Sequence, residues 1–80
     1  MRIVMKDGRG FEGTALQIVK AMQDIAFGVE DLTVPKYVAW VVDNARRFED
    51  VELVVKGKTD DELAASLVGE MLRTGLCAKR

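Results

Sequence analysis

Arg2-Ile3-Val4-Met5-Lys6-Asp7-Gly8-Arg9-Gly10-Phe11-Glu12 reads as a β-hairpin, two short alternating runs around an Asp-Gly turn. Its register decides which side chains reach the core, because a one-residue slip turns every side chain over. A two-residue loop at Asp7-Gly8 would pair Val4 with Phe11. A three-residue loop, Lys6-Asp7-Gly8 with Gly8 left-handed, pairs Ile3 with Phe11 and Arg2 with Glu12. The second register collects Ile3, Met5 and Phe11 on one face and sets opposite charges across the ladder. It is the register the pattern predicts, with strands over 2–5 and 9–12.

Downstream of the hairpin the period changes from two to about 3.6. Thr14 and Gln17 have capping-box spacing, and Ala15, Ile18, Val19, Met22, Ile25 and Ala26 form one face of a helix over 14–27, with Gly28 as its cap. A second helix over 34–48 starts from Thr33 with Pro35 in its first turn, and its stripe is Val34, Val38, Val41, Ala45 and Phe48. Residues 51–55 alternate as a third strand. Thr59-Asp60-Asp61-Glu62 is a full capping box for a third helix over 59–74. Gly75-Leu76 reads as its Schellman ending, with Ala78-Lys79-Arg80 a frayed tail. The expected fold is α+β: a two-layer sandwich in ββααβα order, a small three-stranded sheet against three helices, in one domain over 1–80.

The string from Asp7 to Thr14, followed by Ile18-Val19 and Met22, resembles a group of small bacterial and phage proteins of unknown function. These open with a DG hairpin, then F-x-G-T and an amphipathic helix. Leu72-Arg73-Thr74-Gly75-Leu76 is similar to their last helix. The resemblance covers most of the chain and implies no activity, cofactor or site.

The composition excludes several function classes. Twelve Lys and Arg against thirteen Asp and Glu give a net charge of −1, so no global field draws in nucleic acid or anionic lipid. There is no histidine, which removes Ser-His and Cys-His nucleophiles, and with one cysteine, Cys77, zinc has no N/S ligand set. Cys77 has no base beside it and reads as a small hydrophobe. Asp60-Asp61-Glu62 and Glu49-Asp50-Glu52 lack calcium-loop spacing. Gly8-x-Gly10-x-x-Gly13 copies part of a dinucleotide fingerprint, but Phe11-Glu12 inside it is strand and Asp7-Gly8 is a hairpin turn. No cofactor, metal or enzymatic role is expected. No apolar run spans a membrane and no signal peptide is read, so a cytoplasmic location is expected.

What remains is Trp40. It stands off the apolar stripe among Lys36, Tyr37, Asp43, Asn44 and Arg47, the composition of a protein–protein hot spot. Lys36, Tyr37, Trp40, Asn44 and Arg47 are the candidate interaction surface. The bland alternative packs Trp40 against a neighbouring helix. The functional expectation is a small non-catalytic binding or adaptor domain working through protein–protein contacts, or a homodimer. The rival is a nucleic-acid-binding module using Arg2, Lys6, Arg9, Lys56 and Lys58, which requires the third strand to lie beside the hairpin.

Overall fold

The computed structural model describes residues 1–80 as β1 (Arg2–Met5), β2 (Gly10–Glu12), α1 (Ala15–Ile25), α2 (Val34–Phe48), α3 (Asp60–Thr74) and β3 (Cys77–Lys79). The α+β class, with three antiparallel strands and three helices, is as expected; the sheet order is β2-β1-β3. The hairpin adopts the three-residue loop. Arg2 faces Glu12 and Ile3 faces Phe11, Gly8 is left-handed at φ 92°, and the Arg2 guanidinium meets the Glu12 carboxylate at 3.0 Å. Ile3 is fully buried and Phe11 packs against the core from its margin.

The caps are those the sequence spells out. Thr14 and Thr59 close full capping boxes with Gln17 and Glu62, and Thr33 accepts from the Lys36 N–H. Gly75 turns left-handed at φ 81°, and the Leu76 N–H bonds back to the Met71 carbonyl at 3.0 Å. That 6→1 bond is the Schellman ending. The core gathers Ile3, Ile18, Val19, Leu67, Val68 and Met71, all at most 1 % exposed.

The third strand is not where the alternation put it. Residues 51–55 run extended but join no ladder; the sheet is completed by Cys77–Lys79, the stretch read as a frayed tail, and the order is ββαααβ. Two physical facts account for the exchange. The Schellman turn delivers the chain leaving α3 directly onto the free edge of β1, where Val4 pairs Ala78 and Met5 pairs Cys77. Meanwhile the donors of 51–58 find other acceptors. The Val54 N–H donates to Glu70 Oε1 at 2.8 Å, that of Lys56 to Ser66 Oγ at 3.0 Å, and that of Lys58 to Glu62 Oε1 at 2.8 Å.

Alternate residues of an extended chain repeat every ~6.6 Å, and every fourth residue of a helix repeats every ~6.0 Å. The polar column Glu62-Ser66-Glu70 therefore stands in for a sheet edge, and the segment runs antiparallel to α3. Leu53 is buried beneath it and Val54 faces outward. Gly57 seats the end of the segment against the first turn of α3: a Cβ there would lie 2.9 Å from the Glu62 carbonyl carbon and the Leu63 nitrogen.

This ladder is acid-sensitive. Hydrogen bonds from the Arg73 side chain and the Val54 N–H hold the Glu70 carboxyl down to about 2. The N–H groups of Lys58 and Thr59 hold Glu62 below the usual carboxylate range. A carboxylate whose pKa is depressed on folding stabilises the fold fully above its unfolded value, here 4.5. That contribution is lost as pH falls towards the folded value. The melting temperature is expected to fall as pH drops from about 4.5 to 2, and to fall less in Glu70→Gln, which keeps an acceptor oxygen without the titration. Parallel losses in the two proteins across that window would remove Glu70 from this role.

Three further departures concern helix ends. α1 stops at Ile25 instead of 27, because the Gln23 side chain caps the following loop: its Nε2 donates to the carbonyls of Val29 and Leu32, both at 2.8 Å. Ile25 is thereby left 53 % exposed instead of in the core stripe. Phe48, expected in the α2 stripe, is 72 % exposed. It is the last residue of α2, and Asp50, left-handed at φ 53°, turns the chain away from the ring.

Candidate functional site

The expected surface residues all lie on α2, but they do different work. Tyr37 is not surface: it is 2 % exposed and belongs to the core, and burial pushes its hydroxyl up to about 12. Its ring supports Trp40, which stacks on it with centroids 5.8 Å apart and planes 22° from parallel. Trp40 is 38 % exposed. It does not lie under α3; its packing partner is one helical turn back on its own helix. Asn44 donates its amide to the Trp40 carbonyl at 2.7 Å. Arg47 reaches Asp43 at 3.5 Å and lies over the Phe48 ring, 5.5 Å from its centroid. Lys36 is exposed and has no ion-pair partner.

Beside this face runs a groove that the sequence did not disclose. α2 contributes Tyr37, Val41, Asn44, Ala45 and Phe48, spaced at three and four along one flank. The opposite wall is the hairpin end with Met5, together with Met22 and Ile25 from α1. Two clefts of about 310 and 190 Å³ share Met5, Asp7 and Met22, so they form one groove. The eleven helical steps from Tyr37 to Phe48 make it about 16 Å long. The walls are mostly apolar and carry Met5, Met22 and Met71, side chains that repack around varied partners.

Exposed apolar residues mark both ends of the groove, Phe48 at one and Ile25 at the other; Phe27, two residues after Ile25 in the chain, is fully exposed. The signal that could have found Phe27 is its position, an aromatic before Gly28 and off the stripe of α1. Met5 and Met22 fit the hairpin's inner face and the α1 stripe, and nothing local separates a groove wall from a core face.

The basic residues do not converge. Because residues 51–55 lie along α3 and β3 takes the place beside β1, Lys56 and Lys58 are carried to the α3 N-terminus, away from Lys6. Arg2 and Arg9 pair with Glu12 and Asp7. The nucleic-acid reading thus loses the arrangement it required. No group of three or more His, Cys, Asp or Glu side chains comes together as a metal-holding set. Cys77 is buried in β3, and burial pushes its thiol up. No helix is long and apolar enough to cross a membrane. No protein-family model, curated protein or solved structure matches the chain.

Proposed function

We propose that this chain is a small non-catalytic interaction domain whose groove along α2 takes an apolar segment of a protein partner. The observation that carries the reading is the gathering of uncovered apolar side chains at one groove: Ile25 and Phe48 line it, and Trp40 stacks on its Tyr37 wall. Large apolar groups left in water contribute little to folding and favour association. Lys36 and Arg47 supply a charged rim around Trp40, the arrangement in which a central aromatic anchor is most effective.

The test is Trp40→Ala. Trp40 is partly exposed and α2 is anchored by Val34, Tyr37, Val38 and Ala45. The expected loss of stability is therefore about 1 kcal/mol, against the 3–5 kcal/mol of a fully buried Trp. Association should weaken strongly. As the only tryptophan, Trp40 also reports directly, and its emission is expected to shift to the blue on complex formation. A loss of 3–5 kcal/mol with association unchanged would return Trp40 to a purely structural role.

A further inference from the structure

The extended segment after α2 has one satisfied edge and one free edge. Val54, Lys56 and Lys58 turn their N–H groups to Glu70, Ser66 and Glu62 of α3, and the Glu52 carbonyl accepts from Arg73 at 3.4 Å. The residues between them face the other way, as the alternation of an extended chain requires. Neither the N–H nor the carbonyl of Leu53, Val55 or Gly57 has a partner in the chain. α2 does not close over this edge: Val55 and Leu63 share a cleft of about 460 Å³ with Pro35, Val38 and Val42. Free donors and acceptors repeating along an extended chain fit one kind of occupant, a second extended chain. We infer that this edge pairs with the same segment of a second copy, antiparallel, across a two-fold axis at Val54.

The residue order selects that occupant and that register. Glu52-Leu53-Val54-Val55-Lys56 has an acid two residues before Val54 and a base two residues after it. Turned about Val54, the strand sets Glu52 against the partner's Lys56 and Lys56 against the partner's Glu52. Val54 meets its own copy. Leu53 exchanges backbone bonds with the partner's Val55, so the pairs that carry these outward side chains are the narrow ones, where side chains approach most closely. Val54 is 54 % exposed in the single chain, and Glu52 and Lys56 are exposed without ion-pair partners. A shift by two residues in either direction would set Val54 against the partner's Glu52 or Lys56 and lose both charge pairs. The same patch serves both copies, so the pair closes and leaves no edge to propagate. Each strand is already held along α3, and little order remains to be imposed on pairing.

The other charges around the segment leave this register in place. On the α3 side Glu70 is taken by Arg73 at 2.8 Å and Glu62 by the N–H groups of Lys58 and Thr59. On the α2 side Asp43 pairs with Arg46 at 2.9 Å. Glu49 and Asp50 precede the ladder, and Lys58, Asp60 and Asp61 follow it. Their excess of acid opposes close approach at the ends, so the two central Glu52–Lys56 pairs set the register.

The experiment is sedimentation and light scattering of the whole chain over a wide concentration range, with Glu52→Lys, Lys56→Glu and an equimolar mixture of the two. The wild type is expected to dimerise. Each variant alone sets like charges across both central pairs and should associate at least about tenfold more weakly. Both should melt near the wild-type temperature, since neither side chain has a partner in the single chain. The mixture should recover association, because every central pair then joins opposite charges. Amide exchange reads the same edge: Leu53 and Val55 should become protected as the dimer forms, while Val54 and Lys56 are protected already. A wild type that stays monomeric to about 1 mM would overturn the pairing and leave the edge to an extended segment of another protein. A dimer with no recovery in the mixture would overturn it too. Trp40→Ala should leave this dimer unchanged, since Trp40 is on the flank of α2 away from the cleft at Val55; the partner-binding groove is judged separately.

Discussion

Leu67→Ala is expected to destabilise the domain by about 3–4 kcal/mol, from the transfer free energy of the lost side chain and the cavity left behind. Leu67 is fully buried at the centre of α3, the helix that packs against α1, α2 and β3 together. A void there touches every layer, and no single element can relax into it. For a domain of this size the whole stability is of the order of 4–12 kcal/mol, so one substitution removes a large share. Urea denaturation checks it: the midpoint should fall with the slope unchanged. A loss below about 1 kcal/mol would mean that the core closes around the gap and that α3 is not the common support.

Gln23→Met should cost about 1–3 kcal/mol although it replaces a polar residue by an apolar one of similar size. The Gln23 amide is the one buried polar side chain, 7 % exposed, and both of its bonds go to backbone carbonyls of the connection between α1 and α2. Methionine fills the same space and offers no donor, so the Leu32 carbonyl loses its partner and the Val29 carbonyl keeps only the Leu32 N–H, at about 1–3 kcal/mol for a group left unsatisfied. The loss should be local first. Amide exchange at Leu32, whose N–H bonds to the Val29 carbonyl, should accelerate before the core helices open. Unchanged exchange at Leu32 and an unchanged midpoint would show that the amide does not organise this loop.

Gln23 also shows where local reading of the chain stops. Gln17, Lys20 and Asp24 occupy the polar side of α1, and a glutamine beside Asp24 has no feature marking it as buried. Only the return of the chain at Val29 and Leu32 makes its amide a cap, and that return ends α1 two residues early. The candidate surface divides in the same way. Trp40 could be singled out because an aromatic off the helical stripe is visible in the spacing of α2. Tyr37 shares that spacing, but it forms the α2 wall of the groove, opposite the hairpin and α1, and is buried there. Phe48 and Ile25 satisfy the stripe and still emerge into solvent, because the neighbouring element turns away or ends too soon.

What the chain determines by itself is what short-range physics decides: the hairpin register through its turn glycine and its Arg2–Glu12 pair, the three helix starts through threonine caps, and the end of α3 through Gly75. Each depends on groups within a dozen residues, whose steric and hydrogen-bonding demands hold in any fold. The choice of third strand was decided elsewhere. Val51 to Val55 alternate as well as any strand, and Cys77-Ala78-Lys79 hardly alternates at all. The sheet edge nevertheless goes to the second, because the turn at Gly75 delivers it to β1. The column Glu62-Ser66-Glu70 takes the donors of the first. Those acceptors lie up to sixteen residues from the N–H groups they satisfy, and only the packed helix brings them to the spacing of an extended chain.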